Sequence, residues 1–216
     1  MTIEVLVVDD HAIIREGLKK ILADAGDMLV KGEACNGQAA LEQVRARNWG
    51  LVVLDMSMPG RSGLELIKLM KAERPRLPIL VFSMHPEEHF AMRAIRAGAA
   101  GYLSKEGDSD LLLPAMRKVA AGGVFVSEKV AELLAMDTSR RSSDRLPHTL
   151  LSDREYGIFG RIVRGDSLTA IADDLSLSIK TVSTHKSNIL GKMNMTGQVE
   201  LVRYAIAHRL ADPVSS

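Results

Sequence analysis

Short apolar runs alternate with amphipathic stretches through the first half of the chain. The runs with the length and character of buried strands are Val5–Val8, Leu29–Ala34, Leu51–Leu54, Ile79–Phe82 and Ala100–Leu103. The intervening stretches with helical spacing are Ile13–Leu22, Ala39–Arg47, Leu64–Lys71, His89–Ala97 and Asp110–Ala121. Buried strands that alternate with amphipathic helices are typical of a parallel sheet covered on both faces. We therefore predict one doubly wound, five-stranded α/β domain over residues 1–122.

The pattern changes after residue 122. We predict a linker over residues 123–147, in which Val130–Met136 has the spacing of a short helix. The second part of this linker, Asp137–Pro147, is polar and offers almost nothing to bury, as linkers do. Residues 148–216 show helical spacing with no strand-like run, which predicts an all-α domain.

The second domain begins with a helix start signal. Ser152, followed three residues later by Glu155, has the pattern of a capping box. Two further stretches, Leu168–Leu175 and Lys180–Met193, are separated by a tight connection, and Val199–Leu210 follows as a last helix. Two short helices joined by a tight turn are typical of a helix-turn-helix, whose second helix enters the DNA major groove.

Composition and charge restrict the function less than the pattern does. The 216 residues are 46% hydrophobic and 25% charged, with a net charge of +1, so any DNA-binding face must come from local placement of Lys and Arg. No apolar run approaches the roughly 20 residues that span a membrane, and the first residues lack a signal-peptide pattern. The single cysteine, Cys35, fits a reducing, cytoplasmic location, and we expect it to be a small core residue.

Polar side chains follow four of the predicted strands. Asp9 and Asp10 follow the first, Asp55 the third, Ser83 the fourth and Lys105 the fifth. Because ligands bind outside the carboxyl ends of the strands in open parallel sheets, we expect these groups to meet at one edge. Three carboxylates together would repel one another, so we predict a hard divalent cation between them, most naturally Mg²⁺.

This set of groups suits phosphoryl transfer. A carboxylate can attack phosphorus and form an acyl phosphate, and Asp55 is the best nucleophile because it follows the central predicted strand. Mg²⁺, the Lys105 ammonium and a hydroxyl can then spread the charge on the transferring oxygens. Among the nearby histidines, we expect His11 to have a role at the entry to a helix, and His85 and His89 to be solvated.

The first domain resembles the receiver domain of bacterial two-component response regulators. The resemblance is carried by VDDH at 8–11, LDMSMPGRSGLEL at 54–66, FSMH at 82–85 and AGAAGYLSK at 97–105. It implies a flavodoxin-like sheet of order 2-1-3-4-5, with Asp55 phosphorylated by a sensor histidine kinase. It also implies Mg²⁺ on Asp10, Asp55 and the Ser57 backbone carbonyl, with Asp9 contributing through water. Lys105 would contact the phosphoryl group, and Ser83 and Tyr102 would move on phosphorylation.

The second domain resembles the four-helix DNA-binding domain of the LuxR regulators. The matching segments are LSDRE at 151–155, IADDLSLSIKTVSTHKSNILGKM at 171–193 and VELVRYA at 199–205. On the groove-entering helix Val182 and Ile189 should face the core. The residues expected to contact DNA are Lys180, Thr181, Ser183, Thr184, Lys186 and Ser187. The family usually has other residues where Leu168, Asn194 and Gln198 stand, although Asn194 can adopt the same left-handed turn as glycine.

A receiver, a linker and a LuxR-type domain in this order make the arrangement of the NarL/FixJ response regulators. We therefore expect a transcription regulator rather than an enzyme. When active, the regulator should bind double-stranded DNA as a homodimer. RNA polymerase is a candidate further partner. One alternative is a phosphorylation-independent regulator whose first domain only dimerises. Another is a hydrolase of the haloacid-dehalogenase type, although those enzymes need an acid two residues after the nucleophile, where this chain has Ser57.

Overall fold

The computed structural model of the protein describes residues 2–58, 63–85, 87–137, 146–175, 177–208 and 210. The chain forms two compact units, Met1–Thr138 and Ser139–Ser216. Each unit has its own core and is described by itself.

The first unit is built on a parallel sheet whose described strands are β1 (Ile3–Val8), β2 (Met28–Ala34), β3 (Leu51–Leu54), β4 (Ile79–Ser83) and β5 (Gly101–Ser104). Their order is β2-β1-β3-β4-β5, so the predicted fold is confirmed. β3 lies at the centre, where Val52 pairs with Leu6 of β1 and with Ile79 of β4.

Helices cover both faces of this sheet. They are α1 (Ala12–Ala25), α2 (Gly37–Ala46), α3 (Gly63–Glu73), α4 (Glu87–Ala97) and α5 (Leu112–Ala120). Successive strand residues point to opposite faces. Val5 and Val7 therefore pack with α1 and α5, whereas Leu6 and Val8 pack in the core that α2, α3 and α4 complete. Burial on both faces explains why the strands are continuous apolar runs instead of alternating ones.

Residues that follow α5 belong to the first unit, although the sequence predicts them as the start of a linker. The Phe125 N–H donates to the Ala100 carbonyl at 2.9 Å, and the Phe125 carbonyl accepts from the Tyr102 N–H at 3.0 Å. Helix α6 (Glu128–Asp137) then packs against α4 and buries Val130, which is 1% exposed. The chain thus covers the outer edge of β5 and the face of α4 before it leaves the unit.

The second unit contains α7 (Asp153–Val163), α8 (Leu168–Asp174), α9 (Ile179–Met193) and α10 (Gln198–Ala207), preceded by a 3-10 turn at Pro147–Leu150. The predicted capping box of Ser152 and Glu155 is present at the start of α7. Asn194 ends α9 with φ 53° and ψ 49°, which is the left-handed conformation expected of it. The 3-10 turn has no counterpart in the apolar periodicity and was not predicted.

Two further expectations concern burial and membrane spans. Cys35 is exposed at the end of β2, so the expectation that it is a core residue is wrong. It follows the last paired residue of the strand, Ala34, and so lies past the covered part of the sheet. Within the described ranges, no helix has the length and apolar character needed to cross a membrane.

Candidate functional site

The carboxyl ends of β1, β3 and β5 bring four of the predicted polar residues together. The Lys105 ammonium lies 2.6 Å from Asp9 Oδ2 and 3.4 Å from Asp55 Oδ2. Ligand atoms of Asp9, Asp10, His11 and Asp55 all lie within 4.8 Å of one another. The structure therefore assembles one acidic pocket from residues that are up to 96 positions apart in the chain.

Asp55 lies deep in this pocket. Its side chain is almost fully buried, and both carboxylate oxygens are shielded from solvent without accepting a hydrogen bond. Burial raises the pKa of Asp55 above its ordinary value; the Lys105 charge lowers it, and the neighbouring Asp9 carboxylate raises it further. A buried carboxylate with free lone pairs is an energetic cost unless another group joins it.

The oxygen donors fit a hard cation. Asp10 Oδ1 is also buried without a hydrogen bond, although His11 Nδ1 approaches it to 2.9 Å. Ca²⁺ and Mg²⁺ take carboxylate, carbonyl and water oxygens, and a cation would offset the mutual repulsion of these acids. The acidic cluster of Asp9, Asp10 and Asp55 can therefore hold a metal ion.

Hydrogen bonds hold both carboxylate oxygens of Asp9 and its backbone carbonyl. Its Oδ1 accepts from the His11 N–H at 2.8 Å, and its Oδ2 accepts from Lys105. His11 occupies the N-cap position of α1, in agreement with its expected role at the start of that helix. The Asp9 carbonyl accepts from Arg15 Nη1 at 2.8 Å. Sequence reasoning did not single out Arg15, although its place one turn into α1 could have indicated it.

Ser83 and Tyr102 are connected through His85. Ser83 is fully buried at the end of β4, and its Oγ accepts from the His85 N–H at 3.3 Å. Tyr102 is also fully buried, and its hydroxyl donates to the His85 carbonyl at 2.8 Å. The His85 ring stacks on Phe90 of α4 with centroids 4.2 Å apart, and its Nε2 lies 3.3 Å from Ser57 Oγ.

This environment corrects the expectation that His85 is solvated. The residue is half-buried in the loop that follows β4, and it contacts Ser83 at the end of β4 and Ser57 in the loop that follows β3. The second histidine with that expectation, His89, has a side chain outside the described set.

In the second unit, α9 presents the predicted outward face. Val182 and Ile189 are fully buried, as expected. The predicted contact residues with exposed side chains are Lys180, Thr181, Ser183, Thr184 and Ser187. Lys186 is half-buried instead, because its ammonium donates to Gln198 Oε1 of α10 at 3.1 Å.

Two features of α9 refine this face. The hydroxyls of Thr184 and Ser187 donate to the carbonyls of Lys180 and Ser183, so they are oriented along the helix and keep lone pairs for accepting. Asn188, one turn after Thr184, is exposed and was not among the predicted contacts, although an amide is well suited to the edge of adenine.

Comparison with known proteins identifies both units. Residues 5–117 match the response regulator receiver domain, and residues 149–205 match the luxR family of bacterial regulatory proteins. The chain belongs to the NarL/FixJ family of two-component response regulators. GacA, a response regulator of Pseudomonas aeruginosa, is 35% identical to this response regulator over 213 residues, which cover 99% of this chain and all of GacA. UvrY of Escherichia coli K12 is 34% identical over 210 residues, covering 97% of this chain and 96% of UvrY.

Solved structures agree with this assignment. RcsB of Salmonella enterica serovar Typhimurium, bound to promoter rprA with the phosphomimetic BeF3−, superposes with a TM-score of 0.69 at 26% identity. That match covers 94% of this chain and 98% of the RcsB chain. Another RcsB structure gives a TM-score of 0.72 at 27% identity, over 95% of this chain and 98% of that one. This response regulator joins a receiver to a LuxR-type domain and regulates transcription in a phosphorylation-dependent manner.

Proposed function

We propose that Asp55 is the phospho-acceptor, and that a sensor histidine kinase supplies the phosphoryl group. The observation that carries this proposal is the Asp55 carboxylate itself, buried with both oxygens free of hydrogen bonds and 3.4 Å from the Lys105 ammonium. An Asp55 oxygen attacks phosphorus and forms the acyl phosphate. The bond from phosphorus to the kinase histidine breaks, and its electron pair stays on the imidazole nitrogen.

The neighbouring residues bind the cation and the phosphoryl oxygens. Asp10, Asp55 and the Ser57 carbonyl would hold Mg²⁺, with Asp9 contributing through water; when bound, the ion neutralises charge on the transferring oxygens. The Lys105 ammonium would extend its ion pairing from Asp9 and Asp55 to the new phosphoryl group. No second acid follows Asp55 at position 57, so this site favours a stable phosphoprotein over the turnover of a phosphorylated metabolite.

Ser83 and Tyr102 would carry the change at Asp55 toward the output. Ser83 Oγ is held by the backbone of His85, so its movement toward a phosphoryl oxygen would shift the carbonyl that binds the Tyr102 hydroxyl. The Tyr102 N–H is in turn bonded to Phe125, at the start of the segment that leads to α6. This chain of contacts links the phosphorylation pocket to the connection between the units.

The output is sequence-specific binding of double-stranded DNA in the cytoplasm, by a homodimer. The contacts would come from Lys180, Thr181, Ser183, Thr184, Lys186 and Ser187 of α9. Support comes from relatives: a structure described as two RcsB dimers bound to two parallel DNAs matches this chain at 27% identity with a TM-score of 0.59. Two copies of α9 would read half-sites about one duplex turn apart, and RNA polymerase is a further partner in transcription.

The deciding experiment is phosphoryl uptake from a small donor such as acetyl phosphate. The wild-type protein should incorporate phosphate with Mg²⁺ and lose most of this uptake without it, whereas Asp55→Asn should incorporate none. Asp27→Asn is the matched control, because Asp27 is an exposed acid of the same unit, paired with Arg117. Uptake by Asp55→Asn at the wild-type rate would show that the acceptor is another residue. Sustained release of phosphate over many turnovers would instead support a hydrolase.

A further inference from the structure

The peptide unit between Asp9 and Asp10 accepts a hydrogen bond from Arg15, a residue of α1. Arg15 Nη1 donates to the Asp9 carbonyl at 2.8 Å, and the guanidinium is mostly buried, with 17% of its side chain exposed. That carbonyl belongs to the peptide unit that joins the two acids. The guanidinium therefore fixes the orientation of the backbone from which both carboxylates project.

Arg15 is itself held by an anion on a neighbouring strand. Its Nε donates to Glu33 Oε2 of β2 at 3.1 Å, and Lys19 Nζ lies 2.5 Å from the other oxygen of Glu33. The hydrogen bonds from Lys19 and Arg15 lower the pKa of Glu33 even though burial opposes them, so this carboxylate stays ionised. A planar guanidinium can bridge two acceptors at fixed angles, which a lysine ammonium on a flexible stem cannot do equally well.

The acidic turn, formed by Asp9 and Asp10 after β1, needs such a restraint. Asp9 has a counter-ion in Lys105, at 2.6 Å, whereas Asp10 Oδ1 is buried and faces His11 Nδ1, at 2.9 Å, instead of a permanent cation. Because its ligand atom lies within 4.8 Å of those of Asp9 and Asp55, the Asp10 carboxylate is repelled by both when no cation is bound. A backbone fixed in the binding orientation reduces the conformational cost that the cation must overcome.

We propose that Arg15 is a positioning residue for the divalent-cation site, which it organises by bridging Glu33 and the Asp9 carbonyl. The inference rests on the proposed Mg²⁺-dependent phosphorylation of the same pocket. Removing Arg15 changes the Mg²⁺ affinity in opposite directions under the two explanations, because Arg15 is also a positive charge near a cation site. If charge were its only contribution, removing it would strengthen Mg²⁺ binding. If it positions the turn, removing it weakens Mg²⁺ binding, since changes in residues that orient metal ligands commonly cost about tenfold or more in affinity.

The test measures Mg²⁺ binding to the full-length protein through its effect on unfolding. Trp49 is the single tryptophan and is buried in the first unit, so its fluorescence during urea unfolding reports that unit. The rise of the unfolding midpoint with Mg²⁺ at constant ionic strength gives the half-saturating concentration. Arg15→Gln should raise this concentration about tenfold. Lys19→Gln, which removes a charge from the same network without touching the turn, should leave it within about twofold.

Arg15→Lys separates charge from geometry. It keeps the charge but cannot span both acceptors, so it should also bind Mg²⁺ more weakly than the wild type. If Arg15→Gln fails to fold, Arg15→Lys against Lys19→Gln decides the question. Phosphoryl uptake gives a second readout: the Mg²⁺ requirement should rise in the Arg15 variants, while the rate at saturating Mg²⁺ stays near that of the wild type.

The possible outcomes distinguish this inference from the function on which it rests. Unchanged or tighter Mg²⁺ binding in both Arg15 variants overturns the positioning role and leaves the phosphorylation pocket intact. Failure of the wild-type protein to bind Mg²⁺ or take up phosphate overturns the proposed function as well. A loss of the saturating rate, with the Mg²⁺ requirement unchanged, would also refute the inference, because it would place the effect after cation binding.

Discussion

Asp55→Asn should make the first unit more stable at neutral pH in the absence of Mg²⁺. The substitution replaces a buried carboxylate by an amide of nearly the same shape. It removes the cost of burying a charge whose two oxygens accept no hydrogen bond, and the repulsion from Asp9. Lys105 keeps its partner at 2.6 Å, because Asp9 remains. The residue that we propose as the phospho-acceptor is therefore expected to lower the stability of the unoccupied fold.

The magnitude follows from the raised pKa. Each unit by which folding raises the pKa of a carboxyl above its unfolded value costs about 1.4 kcal/mol once the group is ionised. The folded state binds the proton more tightly than the unfolded state, so the cost grows as pH rises from the ordinary value of 3.8 to the folded pKa and is constant above it. Below 3.8 the wild-type and Asp55→Asn proteins should converge.

The assay is urea unfolding followed by Trp49 fluorescence, repeated from pH 4 to 8 without Mg²⁺. The advantage of Asp55→Asn should be present at neutral pH and disappear toward pH 4. Asp27→Asn is a control of opposite sign, because the hydrogen bond from Arg117 lowers the pKa of Asp27, and that substitution should not stabilise the unit. Adding Mg²⁺ should stabilise the wild-type protein selectively, by about 1.4 kcal/mol at ten times its dissociation constant. An Asp55→Asn protein that is less stable than the wild type at neutral pH would refute the reasoning.

Three further predictions test other parts of the molecule. Val130→Ala should lower the unfolding free energy reported by Trp49 by about 2 kcal/mol, since it removes fully buried methyl groups of α6; no change would mean that α6 does not stabilise the first unit. Ser152→Ala should lower the stability of the second unit by about 1 kcal/mol in calorimetry, by removing the N-cap of α7, and an unchanged transition would contradict the capping box. Lys186→Ala combined with Ser183→Ala should weaken DNA binding and reduce the slope of log affinity against log salt by about 0.9 for each phosphate that the protein no longer neutralises; an unchanged slope would show that Lys186 binds no phosphate.

Much of the fold was predictable because its signals are local. A run such as Leu51–Leu54 is buried on both faces, and such a strand needs no alternation to be recognised. Ser152 and Glu155 predicted the start of α7 because a capping box depends on residues three positions apart. The acidic pocket was predictable for a related reason, since the carboxyl ends of parallel strands meet at one sheet edge whatever the connections between them.

The wrong expectations concern positions whose environment is decided by how the elements pack. A free cysteine is usually buried, but Cys35 lies just past the last covered residue of β2 and is exposed. His85 has the character of a solvated loop residue, yet Phe90 and Ser57 approach its ring. The sequence also did not indicate the hydrogen bond from the Lys186 ammonium to Gln198 of α10. Local patterns carry no information on such pairings.

By itself, the sequence determined the sheet, the succession of helices, the helix-turn-helix and the acidic edge with Asp55 at its centre. The strands and helices depend on spacing within one element, and the acidic edge depends on the geometry common to all parallel sheets. The tertiary structure decided how the pocket is held and where it leads. It brings Arg15 to the Asp9 carbonyl, joins Ser83 to Tyr102 through His85, and places Phe125 on the edge of β5. These hydrogen bonds join groups of different elements or of the loops between them, and they form only once packing has fixed each element against its neighbours.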